Sequence, residues 1–470
     1  MTLQGLRHFR QEIKSIRTVG ELLEWLTMKR LERFAFIFIL ILVLSPLYAM
    51  GWSLLFARHT DGAYIANLLG LGNAWHTLIL QIGYVGFVVA VILFSKSVHQ
   101  AKKKGVRPLA YLRTHAIEVF LALFIVWTAL ATYFSINPAL SLKGDFYRRE
   151  GLWTFGAYLG LFALAKSQTR LNIIRLASVF VGVSVLTGVL DLIDADAINR
   201  VLTLKKKTSI FHNANHYGYY LVMALLANAA LTLNLRTLRT PLTLPLLVFH
   251  AVLTIVVIDN HSFGSFLALS SAFTLSIVLI AWLKRALLFR AIILTALFFG
   301  LSWAQSLVDD YLTSEFSGTR EDVANIVEGN EEASSAGSGR WSLWTHAAGF
   351  ALERPLLGYG PDALGTPYEE AGESTDRPHN ELLQFAASQG FIAMFLYLGA
   401  LITLAARAFN KRHALSTLTL TLGFVVIGYL ASSMFGNTMY YTTPFYVMFL
   451  SFTVSGVKSA RGTVIRDHAI

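Results

Sequence analysis

Long apolar runs separated by short polar stretches dominate this chain. The runs begin near Phe34, Ala74, Ala116, Leu152, Leu171, Tyr217, Pro241, Phe263, Ala291, Leu382, Ala414 and Thr442. Most reach the roughly 17 to 25 residues that a helix needs to cross the hydrocarbon core of a bilayer. The pattern predicts an all-α integral membrane protein, a bundle of about twelve transmembrane helices. Residues 1–33 read as an interfacial N-terminal segment, 34–308 as helices one to nine, 309–381 as a long loop, 382–457 as helices ten to twelve, and 458–470 as a tail.

The long loop has its own pattern. Residues 309–336 are rich in Ser, Gly, Glu and Asp, a composition expected of a mobile segment. Trp341, Trp344, Ala348, Phe350 and Leu352 then recur at helical spacing, which predicts an amphipathic helix lying against the membrane surface.

Composition agrees with a lipid environment. Of 470 residues, 55% are hydrophobic and 14% charged, against the roughly 25% charged of a soluble domain. The net charge of +11 would suit nucleic acid, but its distribution points elsewhere. Lys and Arg crowd alternate loops: Lys96 to Arg113, then Lys166, Arg170 and Arg175, then Arg236 and Arg239, then Lys284, Arg285 and Arg290, then Arg407, Lys411 and Arg412, with Lys458, Arg461 and Arg466 in the tail. The intervening loops are neutral, polar or acidic. The positive-inside bias then places both termini in the cytoplasm and predicts no nucleic-acid partner. Arg7, Arg10, Lys14, Arg17, Lys29, Arg30 and Arg33 make too long and charged a prelude for a cleavable secretion signal. Cysteine is absent, which excludes disulfides, zinc-thiolate sites, iron–sulfur clusters and cysteine nucleophiles. No P-loop, dinucleotide fingerprint or metalloprotease motif occurs in a fitting context. The acidic residues of the long loop lack calcium-loop spacing. No metal or cofactor is predicted.

The candidate chemistry gathers in the loops assigned to the outer face. Arg377-Pro378-His379-Asn380-Glu381 opens a membrane helix, and an imidazole there suits removal of a proton from a hydroxyl near neutral pH. Asn213, Asn215 and His216 crowd another helix start, where amides and imidazoles suit sugar hydroxyls or phosphate oxygens. Lys205, Lys206 and Lys207 just before them break the charge rule and suit an anionic headgroup or diphosphate. Tyr147, Arg148 and Arg149 lie in a third loop, where paired guanidiniums suit a bidentate phosphate clamp. His261 marks a short turn and Arg340 opens the surface helix. Each group also has a plain structural role open to it: a hydrogen-bonded cap for His379, an interfacial charge run for the lysines, a salt bridge between Arg149 and Glu150.

With these residues in place, the chain resembles the O-antigen ligase and polymerase superfamily. The specific part runs from Arg340 to Ala393: Arg340, Trp344, Pro355-Leu356-Leu357-Gly358-Tyr359-Gly360, His379-Asn380, Gly390 and Ala393 follow the order that family shows. Two departures stand out. Ala393 replaces the family's usual Gly, Thr or Tyr, and Ser262-Phe263 stands where many members carry Ser-Arg. The resemblance implies a membrane glycosyltransferase of the GT-C-like kind in the bacterial cytoplasmic membrane, with its site on the periplasmic or extracellular side. The implied donor is an undecaprenyl-diphosphate-linked glycan, and the implied acceptor a lipid A-core-like glycolipid or another hydroxyl. It further implies metal-independent inverting transfer with His379 as base, Arg148, Arg149, Arg340 and Lys205 to Lys207 around the diphosphate, and Tyr147, Asn213, Asn215, His216, His261 and Asn380 around the sugars. A ligase is favoured over a polymerase or a protein O-oligosaccharyltransferase. A transporter or flippase of about twelve helices is the rival class, whose substrate site belongs near the bilayer midplane.

Overall fold

In the computed structural model the described residues are 12, 16–56, 64–193, 211 and 213–459. They form helices and no strands. Every predicted apolar run falls on a helix: α1 Met28–Phe56, α2 Tyr64–Lys103, α3 Ala116–Tyr133, α4 Leu152–Lys166, α5 Arg170–Ile193, α6 Ala214–Leu233, α7 Thr243–Asp259, α8 Phe263–Leu283 and α9 Leu288–Ser306. After α10 Tyr311–Glu328 and α11 Arg340–Glu353 come α12 Glu381–Asn410, α13 Thr417–Ser433 and α14 Thr443–Ser459. Among the described residues, seven helices are long and apolar enough to cross a membrane. Three more, α4, α7 and α13, are apolar but have 17 residues or fewer. The protein is a multi-pass membrane protein.

The centre of the bundle is α6, buried from His216 to Leu233, as expected of a helix that presents apolar groups on every side. The backbones of α2 and α4 approach closely. A Cβ added to Gly160 would lie 1.8 Å from the Gly83 carbonyl oxygen, and one on Gly86 would lie 2.2 Å from that of Gly160. Small residues at such a seam gain helix–helix van der Waals contact where lipid offers no hydrophobic drive. The 15 residues of α4 extend only about 22 Å.

Polar contacts sort the loops into two ends. At one, basic side chains fasten neighbouring helices: Arg407 donates to the Thr114 carbonyl at 3.2 Å, and Lys96 to that of Leu26 at 2.8 Å. At the other, the 134–151 loop, the turn at 260–262, the 307–380 segment and the 434–442 loop bind one another.

The 307–380 segment departs from the sequence expectation twice. Residues 311–328 are helical, because Leu312, Phe316, Val323 and Val327 recur at helical spacing and Gly329 supplies the left-handed terminus (φ 70°). The predicted surface helix is present as α11, but its buried face is Leu343, Ala347, Phe350 and Ala351, packed on Ala386 and Ala387 of α12. Trp341 and Leu352 are exposed. The face is rotated because a protein partner, rather than lipid alone, covers it.

The chain between α11 and the short helix Gly365–Glu370 threads into a break in α12. Gly390 has φ 82° and ψ 165°, a region essentially reserved for glycine, and a Cβ there would sit 1.9 Å from the Leu356 carbonyl oxygen. The backbone groups freed by the break find new partners. Tyr359 N–H donates to the Ala387 carbonyl at 3.0 Å, Gly360 N–H to that of Ser388 at 2.7 Å, and Phe391 N–H to that of Pro355 at 2.8 Å. From α3, Trp127 donates to the Leu356 carbonyl (3.0 Å) and Thr128 to the Gln389 side chain (2.5 Å). Irregular backbone within a membrane bundle persists only where protein satisfies it in this way.

Candidate active site

The site grows from one carboxylate. Asp362, itself in a left-handed conformation (φ 59°), accepts the Asp145 N–H at 2.7 Å and the Glu150 N–H at 3.0 Å through Oδ2, while its Oδ1 binds Arg377. Arg377 also donates to the Thr438 carbonyl at 3.3 Å. Both ionic side chains are only 1% exposed. One buried pair thus fixes the 145–150 loop, the 376–380 segment and the 434–442 loop relative to one another. A buried charge left without its partner would cost several kcal/mol, so the pair specifies this arrangement.

On that frame Arg148 faces Asp376. Its Nε and a terminal nitrogen donate to the two carboxylate oxygens at 2.9 Å each, and its guanidinium lies 4.9 Å from the Tyr147 ring centroid. Burial alone would raise the Asp376 carboxyl, but the Arg148 guanidinium outweighs it and holds the group down at about 2. Arg149 turns the other way. Its carbonyl accepts from Thr154, which binds His76 at 2.8 Å, and its charge is felt at Tyr440. The two arginines therefore do not converge on one point. Glu150 does not pair with Arg149 either: its carboxyl turns inward to the Tyr158 hydroxyl, and burial lifts it to about 7.

His379 sits at the rim of this frame with φ 52°. The helix behind it begins at Glu381 with Asn380 as N-cap, one residue before the start near Leu382 that the apolar run predicts. Asn380 accepts the Leu383 N–H at 3.1 Å and donates to the Met434 carbonyl at 3.2 Å, which anchors the base of the His379 backbone. The ring Nδ1 meets the Asn437 amide at 3.3 Å, and Asn437 Oδ1 is buried with no hydrogen bond. Burial and then the charges of Arg148, Arg340 and Arg377 push His379 down to about 4, with Asp376 opposing. Its imidazole is neutral at pH 7.

The other predicted groups divide. Arg340 acts on His379 through its charge and donates weakly to the Gly337 carbonyl (3.5 Å), with no acidic partner among the described ion pairs. His216, 2% exposed, lies within charge range of Arg148, Arg377 and His379, and its Nδ1 has no hydrogen bond. Asn213 caps α6 through the N–H groups of Asn215 and His216, and Asn215 accepts from Ser262 at 3.1 Å, so both amides are engaged in holding the helix start. His261 binds Asp309 at 2.8 Å and its ring meets Tyr311 edge-on, which fastens α10 to the bundle. Lys205, Lys206 and Lys207 lie outside the described residues.

Three residues at the centre were not singled out from the sequence, Asp362, Asp376 and Asn437, and Arg377 stood in the quoted His379 motif without a role of its own. Asp376 immediately precedes that motif, and its charge beside a helix start was a readable signal. Asp362 and Asn437 lie in loops of ordinary composition, and only the fold brings them in.

The assembled chemistry is a neutral imidazole beside Arg148, Arg340 and Arg377, at the mouth of a membrane bundle. No curated protein matches the chain. Residues 246–398, from α7 into α12, match the family model described as O-antigen ligase, and that stretch holds Arg340, Asp362, Asp376, Arg377, His379 and Gly390. Across residues 246–398, about a third of the chain, the protein is thus similar to the O-antigen ligase family.

Proposed function

We propose that this protein transfers a glycan from undecaprenyl diphosphate to an acceptor hydroxyl, in the manner of an O-antigen ligase. The reading is supported above all by one observation: His379 is a neutral base ringed by cations. If the twelve apolar helices each cross the membrane, the basic ends share one side and His379 the other, which the positive-inside bias makes the outer face of the cytoplasmic membrane with both termini inside.

In the proposed step, a nitrogen of His379 takes the proton of the acceptor hydroxyl. The oxygen forms a bond to the anomeric carbon from the face opposite the diphosphate, and the carbon–oxygen bond to phosphate breaks. The electron pair leaves with the lipid diphosphate, whose growing charge Arg340 and the outer edge of Arg148 stabilise in a partly desolvated site. Asn437 selects the reacting nitrogen. A half-turn of its amide gives Oδ1 a partner in the Nδ1–H and leaves Nε2 free as the base.

The cations also order the events. Without donor, burial and then these charges hold His379 near 4, a weak base. A diphosphate placed among them offsets their charge and moves the imidazole towards the range where proton transfer is efficient. Donor therefore activates the base that attacks it through the acceptor. Reconstitution with purified donor and candidate acceptors tests the reading. Transfer of one intact glycan, abolished by His379→Ala in a folded protein, supports it. A lengthening ladder would instead mark a polymerase, and full activity of the variant would remove His379 as base.

A further inference from the structure

An apolar cleft of about 70 Å³ opens between α3, α4, α12 and α14. Leu121 and Ile125 line it from α3, Leu159 and Phe162 from α4, and Val447 and Leu450 from α14. Leu121, Ile125 and Leu159 are only partly buried, so the cleft has a mouth on the surface of the bundle.

Helical periodicity carries each lining stripe to a charge. Glu118 lies one turn from Leu121, Lys166 one turn beyond Phe162, and Lys458 two turns beyond Leu450, the spacings that keep residues on one helix face. The three meet: Lys166 and Lys458 both donate to Glu118 Oε1. His115 lies 3.4 Å from Lys458, and Arg407 of α12 is fastened beside them through the carbonyls of Arg113 and Thr114. One carboxylate meets two lysines, with Arg407 within charge range of Lys458, and both lysine side chains keep about a quarter of their surface, 27% and 25%.

We infer that this basic cluster and cleft bind an anionic phospholipid, its phosphate against Lys166, Lys458 and Arg407 and one acyl chain along Leu121, Leu159 and Leu450. An unbalanced positive cluster at a membrane surface attracts anionic headgroups. Here the attached cleft has the chemistry of an acyl chain, and the pair of features commits the occupant to a lipid. The far end of the cleft reaches Glu381 and Thr438 beside the His379 frame, but the cluster lies at the opposite end of the bundle, and the inference does not depend on the proposed reaction.

The test uses the full-length protein purified in zwitterionic detergent, with phosphatidylglycerol and phosphatidylcholine of identical chains as probes and bound lipid counted by native mass spectrometry. The variant Glu118→Gln/Lys166→Gln/Lys458→Gln removes the cluster while leaving no carboxylate stranded. It should weaken phosphatidylglycerol binding about fivefold, since two lysines and one carboxylate leave together, a net loss of one positive charge, and each charge near an anionic headgroup contributes about fivefold. Lys103→Gln/Lys104→Gln, on exposed residues of the same end, should leave binding unchanged. Should the triple variant not fold, Leu159→Trp fills the cleft instead and should displace the lipid. Equal retention of the two lipids by the native chain, or undiminished phosphatidylglycerol on Leu159→Trp or the triple variant, overturns the inference.

Discussion

Arg148 grips both oxygens of Asp376, with two nitrogens at 2.9 Å, and so presents its remaining N–H edge in a fixed direction. A guanidinium has five donors in a rigid fork, of which this pair engages one side. Arg148→Lys should raise the donor KM about tenfold or more, because an ammonium cannot reproduce the two-nitrogen grip on the carboxylate while holding a second planar edge towards a phosphate. Asp376→Asn should raise it less. Steady-state kinetics against donor concentration checks both, and a donor KM unchanged in Arg148→Lys would remove the residue from the phosphate site.

The nearby base offers a pH signature. Burial and the neighbouring cations hold His379 at about 4 in the folded protein against 6.5 unperturbed. The unfolded chain therefore binds more protons between those values, and stability falls as pH drops from 6.5 towards 4. A melting series in detergent should show that slope in the native protein and a shallower one in His379→Ala.

Asn437 should separate positioning from folding. Asn437→Ala should lower kcat about tenfold to a hundredfold by releasing the ring, with a smaller effect on donor KM. Asn437→Asp should keep activity and move the acidic limb of kcat/KM to higher pH, because a carboxylate facing Nδ1 favours the imidazolium. An unmoved limb would exclude contact through that nitrogen.

The Asp362–Arg377 pair is a frame rather than a reagent. Asp362→Ala strands a buried guanidinium and two backbone N–H groups, with an expected loss of about 3 to 5 kcal/mol. The double variant Asp362→Ala/Arg377→Met should recover part of that stability without recovering activity. Chemical denaturation of the purified protein measures both.

How far the sequence shows these features depends on the range of the interactions behind them. Runs such as Phe34 onward and Leu382 onward are local patterns, and helices follow directly. His379 was visible because a proline and an acidic residue flank it at a helix start. The rotated face of α11 was not visible, because its partner, Ala386 and Ala387, is remote in sequence and small residues carry little pattern. The divergence of Arg148 and Arg149 follows from the 145–150 loop conformation, which a carboxylate more than 200 positions away imposes.

Gly390→Ala would place a methyl group where the Leu356 carbonyl lies and demand a strained backbone. The expected cost is above about 2 kcal/mol, with loss of transfer. Thermal denaturation and the transfer assay check it.

The same break governs when the site can exist during synthesis. Trp127 and Thr128 hold partners 229 and 261 positions further along the chain, and closing contacts of that separation is slow. The ribosome has long released α3 into the bilayer before α12 arrives to accept the strap between Pro355 and Gly360. Until then the imidazole has no frame and the arginines no carboxylates, so a partly inserted chain holds no competent centre. Assembly of the break is thus the step at which a bundle of separate helices acquires the His379 site.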